Sequence, residues 1–395
     1  MSEGASPPTS APLSAGLSPP TGLSPPTGLY VHWPFCARVC PYCDFNVARV
    51  RDVDEAAWGR VFADDLAWQR DRYGRRALVS LYLGGGTPSL MRPALIARVI
   101  AAADAAFGLA PGAEITLEAN PNDVSPDALA AWRAAGINRL SLGVQSFDDR
   151  QLAFLGRDHD GADARRAVEL TLAAFHRATF DLIYALPGEG VEAWSARLGD
   201  ALAMGPTHLS LYQLTVEPGT AFARAVARGD WTLPGDGLDA DLYEATGAVA
   251  AAAGLPPYEV SSHAAPGHRA VHNTLYWRGA DWFATGPGAH GRITTPGGRV
   301  ALEGARAIPR YLGATPSERL REDALTPDDV VTETVSGGLR MTDGIARDRL
   351  APGVLDAAGP LIDEGLLTDV DGRLKATARG RLVLDAVTAE LLRGS

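Results

Sequence analysis

The chain is poor in cysteine, in long apolar runs and in positive charge, and each shortage excludes a class of protein. Its 395 residues hold three cysteines, too few for a disulfide framework, which fits a reducing compartment. No run of about 18 apolar residues is uninterrupted, so we expect no membrane span. The net charge of −11 argues against a general nucleic-acid binder. Because the N-terminus also lacks a secretory pattern, we expect a cytoplasmic protein.

Composition divides the chain into three parts. Residues 1–27 are rich in Ser, Pro, Thr and Gly and repeat the hexamer LSPPTG, which predicts a disordered tail. Over residues 28–305, short β-rich runs alternate with helical patterns, which predicts an α/β fold of βαβ units. Because its strands read as almost wholly apolar, we expect a partial or full parallel β/α (TIM-like) barrel. Residues 306–395 read as helices followed by a hairpin, which predicts a small winged-helix-like α+β domain.

All three cysteines stand in one stretch, VHWPFCARVCPYCDFN (31–46), as Cys36, Cys40 and Cys43. Three thiolates on one loop can hold three irons of a [4Fe–4S] cluster and leave the fourth iron open to another ligand. Zinc with His32 as a fourth ligand is an alternative, although structural zinc sites usually draw on a second ligand pair. Three cysteines packed as small hydrophobes are the other alternative.

The spacing C-x3-C-x2-C, with Tyr42 before the last cysteine, resembles the signature of the radical S-adenosylmethionine (SAM) superfamily. The resemblance implies that SAM chelates the open iron and that the reduced cluster can cleave SAM to a 5′-deoxyadenosyl radical. More motifs, over about residues 29–385, are similar to oxygen-independent coproporphyrinogen III dehydrogenases and their heme-chaperone relatives. They are GGGTPSL (84–90), LEANP (117–121), RLSLGVQSF (139–147), LGRDH (155–159) and LSLYQLTVEPGT (209–220).

The same resemblance implies a set of SAM-binding residues, most of them near the ends of successive strands. Glycines allow close approach of a ligand, acid and amide groups suit its hydroxyl and cationic groups, and an arginine suits its carboxylate. The set is Tyr30, Gly85, Gly86, Thr87, Glu118, Gln145, Arg157 and Asp181. Taken singly, Glu118 could only stabilise a turn and Gln145 could only satisfy loop backbone.

Two features separate the relatives. The dehydrogenase pattern has a fourth cysteine where this chain has Phe45, and the chaperone pattern has a downstream H-N-x-x-Y-W, present here as HNTLYW. Its His272 suits axial ligation of heme, and Tyr276 and Trp277 suit stacking on a porphyrin. A hydrogen-bonded structural role is the alternative for His272. His263 and His290 are lesser heme candidates.

Two positions depart from the relatives' pattern. Ala185 stands where the relatives commonly have glycine, and Ser262 stands where they have asparagine. Both departures touch the substrate or heme region more than the cysteine loop.

The resemblance implies a heme chaperone that binds the cluster, SAM and heme and hands heme to an acceptor such as a membrane-associated respiratory cytochrome. Whether it is also an enzyme, and whether it is a monomer or a dimer, stays open. The alternative is a coproporphyrinogen III dehydrogenase, against which Phe45 argues. A redox- or iron-sensing regulator would need a basic recognition face, and residues 322–372 are acidic instead.

Overall fold

The structure is a computed structural model that describes residues 26–394. Residues 1–25, most of the predicted disordered tail, lie outside the described residues. Thr27, which the prediction placed in the tail, begins the first strand.

The described chain alternates strands with helices through most of its length. The strands are β1 (Thr27–Trp33), β2 (Phe35–Cys36), β3 (Ala48–Arg49), β4 (Leu78–Gly85), β5 (Leu109–Ala119), β6 (Arg139–Gln145), β7 (Arg177–Tyr184), β8 (His208–Gln213), β9 (Ser262–Ala264), β10 (Asp281–Thr285), β11 (His290–Thr295), β12 (Gly298–Gly304), β13 (Leu320–Ala324), β14 (Ile345–Ala346), β15 (Leu367–Val370) and β16 (Arg373–Ala376). The helices are α1 (Glu55–Tyr73), α2 (Pro93–Phe107), α3 (Pro126–Ala134), α4 (Asp149–Phe154), α5 (Gly161–Ala174), α6 (Val191–Ala203), α7 (Ala221–Ala227), α8 (Asp236–Ala252), α9 (Val271–Trp277), α10 (Ile308–Gly313), α11 (Pro316–Arg319), α12 (Pro327–Arg340), α13 (Pro352–Asp363), α14 (Ala378–Leu382) and α15 (Leu384–Arg393).

Eleven strands form one sheet, in the order β13-β12-β11-β10-β1-β4-β5-β6-β7-β8-β9. The pairs from β10 to β8 are parallel, and the strands at both edges are antiparallel. Because β9 and β13 do not pair within the described chain, this is a partial β/α barrel, and the predicted fold class is confirmed.

Side chains alternate along the parallel strands between the helices and the barrel interior. On β5, Ile115, Leu117 and Ala119 belong to the main hydrophobic core, whereas Glu118 and the following Asn120 line the interior cavity. Successive strand side chains point to opposite faces, so every second residue of β4 to β8 is delivered to the interior. The strands are therefore less wholly apolar than the sequence analysis assumed.

A second, smaller hydrophobic core lies in the C-terminal part. It gathers residues of α12, α13, α15 and the three-stranded sheet β14-β16-β15, an arrangement that agrees with the winged-helix-like fold class. Strand β13 belongs to the large sheet although it lies beyond the predicted domain boundary at 305. The C-terminal core thus begins with α12.

Candidate cofactor site

A cavity of about 400 Å³ opens where the parallel strands end. Its lining includes Cys36, Cys40 and Cys43, which the loop after β1 brings to this edge. It also includes seven of the eight residues predicted to bind SAM: Gly85, Gly86, Thr87, Glu118, Gln145, Arg157 and Asp181. Residues far apart in the sequence therefore meet at one end of the barrel, as expected for parallel β/α folds.

The glycine-rich end of β4 fixes the start of the cysteine loop. The Gly86 N–H donates to the Trp33 carbonyl at 2.7 Å, and the Thr87 N–H donates to the Phe35 carbonyl at 2.8 Å. A Cβ on Gly86 would lie 2.6 Å from the Phe35 oxygen. Glycine is needed here because the two backbones touch, so these N–H groups hold the loop.

Two thiols of the loop, those of Cys36 and Cys43, lie in surroundings that favour the protonated form unless a cation binds. Burial raises the pKa of Cys36, and it raises the pKa of Cys43 to about 11. A coordinated metal removes such protons outright. This chemistry fits a metal centre.

The loop does not resemble a zinc site closed by His32. The Nδ1 atom of His32 shares a hydrogen bond with the Tyr30 hydroxyl at 3.0 Å, and Nε2 lies 3.0 Å from the Asn46 carbonyl. Over residues 26–394, no three His, Cys, Asp or Glu side chains converge on a point that could hold one ion. Because both ring nitrogens of His32 already have protein partners, His32 is not available as the fourth ligand of a zinc ion.

Arg157 is fixed beside the cysteine loop with part of its donor capacity unused. It donates to the Cys40 sulfur at 3.3 Å, to the Asn120 side-chain oxygen at 2.6 Å and to the Gly143 carbonyl at 2.8 Å. Its Nε is buried and has no acceptor among the described residues. Because this guanidinium also lines the cavity, it fits a site that receives an anionic group of a ligand.

Two carboxyl groups face the same cavity. Glu118 accepts hydrogen bonds from the Tyr82 hydroxyl at 2.7 Å and from the Gly85 N–H at 3.0 Å. Asp181 has a buried Oδ1 without a described partner. Burial, and secondarily the charge of Glu118, raises the pKa of Asp181 to about 7, and burial also raises the pKa of Glu118. Acids held this way suit a cationic ligand, which would favour their ionised forms.

Strained backbone marks the ends of two strands beside the cavity. Gln145, which ends β6, has φ 68°, and Ala185, which follows β7, has φ 59°. Side chains make this left-handed conformation costly, and such strain is concentrated at functional sites. A glycine would adopt the positive φ of residue 185 without this steric cost.

Tyr30 lies behind the cavity wall and is absent from its lining. Its hydroxyl is engaged with His32, and its ring stacks on Tyr82, with centroids 6.2 Å apart. Tyr82 lines the cavity, so Tyr30 lies one layer from the ligand space.

The three predicted heme residues lie on α9 and do not line the cavity. His272 is buried, its Nδ1 lies 2.9 Å from the Ser80 hydroxyl, and its ring stacks on Tyr82 at 5.1 Å. Tyr276 hydrogen-bonds to Asn273, and Trp277 packs under the Arg340 guanidinium at 4.3 Å. Ser80 lies near the start of β4, so α9 closes the amino-terminal end of the barrel.

Other residues of that region have different positions. Ala270 and Asn273 do line the cavity, and Asn273 donates to the Ser262 hydroxyl at 3.1 Å. His263 is buried in β9, and His290 is exposed at the start of β11. Neither of these histidines lines the cavity.

The sequence analysis missed several polar lining residues. They are Tyr82, Asn120, Arg139, Ser141, Thr179, His208 and Ser210. Each follows the two-residue alternation that also places Glu118 and Asp181 inside the barrel. That alternation, visible in RLSLGVQ and HLSLYQ, was the signal that could have found them.

Comparisons with known proteins agree with this geometry. The family model of the Radical SAM superfamily matches residues 30–197 of this chain. The chain is 37% identical to the heme chaperone HemW of Mycobacterium tuberculosis (strain CDC 1551 / Oshkosh), over 92% of this chain and 94% of that protein. It is 34% identical to the heme chaperone HemW of Escherichia coli (strain K12), over 91% of this chain and 96% of that protein. It is 35% identical to the mitochondrial radical S-adenosyl methionine domain-containing protein 1 of Bos taurus, over 96% of this chain and 90% of that protein.

A solved structure supports the fold. Coproporphyrinogen III oxidase (HemN) from Escherichia coli, a radical SAM enzyme, superposes with a TM-score of 0.76 over 93% of this chain and 90% of its own, at 24% identity. Within residues 26–394, no helix combines the length and the apolar character needed to cross a membrane. The sequence identity over nearly the whole chain establishes that this protein belongs to the radical SAM superfamily and, within it, to the family of HemW heme chaperones.

Proposed function

We propose that this protein is a cytoplasmic heme chaperone that carries a [4Fe–4S] cluster and SAM and passes heme to an acceptor protein such as a respiratory cytochrome. The similarity to HemW chaperones over more than nine-tenths of the chain carries the proposal. Phe45, in the position where the dehydrogenase pattern has a fourth cysteine, supports the chaperone over the dehydrogenase.

The residues of the cavity fit the two cofactors. Cys36, Cys40 and Cys43 would hold the cluster, and its open iron would take the amino and carboxylate groups of SAM. When bound, a reduced cluster of this type supplies single electrons to SAM. The protein's own contribution is to position the ligand and to exclude water from it.

The cavity walls divide the recognition of SAM by charge. The Arg157 guanidinium would neutralise the SAM carboxylate, since a charge-assisted contact of this kind is strong. Glu118 and Asp181 would face its cationic and hydroxyl groups. Gly85, Gly86 and Thr87 would keep the methionine end close to the loop, and Gln145 would contribute its amide.

Anaerobic reconstitution tests the proposal. The protein is loaded with iron and sulfide, its iron is counted, and it is titrated with hemin before and after addition of an apo-cytochrome. We expect about four irons per chain, stoichiometric hemin binding and hemin transfer to the apo-cytochrome. Conversion of coproporphyrinogen III at enzymatic rates with SAM and a reductant, or no hemin binding, would contradict the chaperone.

A further inference from the structure

The mouth of the cofactor cavity has an exposed apolar rim formed by Val39 and Phe45. Their side chains are 45% and 62% exposed, and both line the cavity. Phe45 is the most exposed large apolar side chain of the described residues. Apolar groups gathered at one opening indicate a binding surface, whereas single exposed apolar residues do not.

The volume of the cavity separates the rim from the cofactor site. At about 400 Å³, the cavity lies toward the small end of the roughly 300–1,000 Å³ that enclose one small ligand. Its inner walls are the three thiols and the residues suited to SAM. A cluster and SAM would fill this space, so a porphyrin macrocycle has to lie outside it, at the mouth.

A free positive charge stands beside the apolar rim. Arg38 also lines the mouth and is exposed. Over the part of the chain that the structure describes, no carboxylate pairs with it, although the protein as a whole carries a charge of −11. Heme combines an apolar planar ring with two propionate carboxylates on one edge, and an apolar rim with an adjacent guanidinium complements both features.

The expected alternative site is occupied by protein contacts. Nδ1 of His272 is engaged by Ser80, one face of its ring is stacked on Tyr82, and a Cβ on Gly28 would lie only 3.3 Å from that Nδ1. The His272 ring is therefore packed against Ser80, Tyr82 and Gly28, and it is not part of the cavity lining.

We propose that heme docks on the rim of Val39 and Phe45, with a propionate toward Arg38, over the mouth of the cofactor cavity. This inference rests on the proposed function, since it names the place where the chaperone holds its heme. It puts heme at the cluster end of the barrel and gives Phe45 a role that a cysteine could not fill.

Hemin titration of the reconstituted protein tests this placement. The variants are Phe45→Ser, the double variant Val39→Ser with Phe45→Ser, Arg38→Glu, and His272→Ala. Val370→Ser is the matched control, because Val370 is a 49% exposed apolar residue of the C-terminal sheet, outside the cavity lining. We expect the Kd for hemin to rise about ten-fold in Phe45→Ser, since burying a Phe contributes this order of affinity, and to stay within about two-fold in His272→Ala and Val370→Ser.

Hemin dimethyl ester, whose propionates are blocked, checks the charge contact. The wild type should bind the ester several-fold more weakly than hemin, whereas Arg38→Glu should bind hemin no better than the ester. Circular dichroism and iron counting show that each variant is folded and loaded.

The outcomes separate this inference from the proposed function. If the wild type binds no hemin, the chaperone proposal itself fails. If the wild type binds hemin and His272→Ala abolishes binding while the rim variants keep it, the rim proposal is overturned and the chaperone stands. If the rim variants bind hemin normally but no longer pass it to an apo-cytochrome, the rim contacts the acceptor protein and the proposal is also overturned.

Discussion

The two ends of the barrel have opposite chemical character. At the carboxyl-terminal end, Asp181 and Arg157 have buried polar atoms without partners, and Gln145 holds strained backbone. At the amino-terminal end, His272 is buried, and its Nδ1 and stacked ring face are engaged by protein. Unsatisfied buried atoms occur at both ends, including Thr274 Oγ1 and Trp277 Nε1 on α9. The strained backbone and the cavity lined by thiols lie at the cysteine end, and such strain is concentrated at functional sites. The difference places the chemistry at the cysteine end, whereas α9 closes the other end of the barrel as a structural element.

The largest effect is expected from removing the cysteine loop's thiols. Replacing Cys36, Cys40 and Cys43 by Ser should reduce the iron content from about four per chain to none, because no other cysteines exist to take over. Iron and sulfide analysis after anaerobic reconstitution measures this. A triple variant that retained four irons would show that the cluster is held elsewhere.

Truncation of His272 on α9 should lower the stability of the protein without weakening cofactor binding. His272→Ala is expected to cost about 3 kcal/mol, because it leaves a cavity and an unpartnered Ser80 hydroxyl. Urea unfolding measures the loss, and iron content and SAM affinity should stay unchanged. His176→Ala, at an exposed position, is the control with little expected effect. Unaltered stability combined with lost SAM binding would reverse the assignment of the two ends.

The charge of Asp181 should make the cofactor-free protein less stable as pH rises. The pKa of Asp181 in the folded protein is raised to about 7, so the fold favours the protonated carboxyl. The stability that this preference contributes is lost as pH rises from the pKa of Asp in the unfolded chain through 7. Between pH 5 and 8, the wild type should lose about 2 kcal/mol relative to Asp181→Asn.

Unfolding in urea at both pH values measures this difference. Asp127→Asn, at an exposed position of α3, is the control for the removal of one carboxylate. Parallel pH profiles of the wild type and Asp181→Asn would mean that burial does not raise the pKa of the Asp181 carboxyl.

The smallest effect concerns the strained backbone after β7. Ala185→Gly should stabilise the protein by about 1 kcal/mol, since glycine adopts a positive φ without steric cost. Ala178→Gly, within β7 and also buried, should destabilise it by about 1 kcal/mol instead. Thermal unfolding compares the two variants. Destabilisation by both would show that residue 185 is not strained.

The sequence predicted the residues at the cysteine end of the barrel better than those at the α9 end. The cysteine spacing and the residues that close successive strands are local patterns, and parallel strands bring their carboxyl ends together, so Cys36, Glu118 and Asp181 meet as expected. The position of α9 could not be predicted, because packing between distant segments decides whether His272 faces a ligand or the barrel wall.

Other features were not predicted from the sequence, for different physical reasons. Arg139 and His208 sit at the beginnings of strands, where we did not follow the two-residue alternation into the interior. Strand β13 joins the large sheet by pairing with β12, a contact that no composition change near residue 305 signals. The exposure of Phe45 depends on the path of the loop, which the motif alone does not define.

Electron paramagnetic resonance of the reduced, reconstituted protein tests the central claim most directly, because it reports on the open iron at the cysteine end. Addition of SAM is expected to change the g-values of the reduced cluster in the wild type and in His272→Ala alike, and to have much less effect in Arg157→Gln. Identical spectra with and without SAM in the wild type would contradict the account.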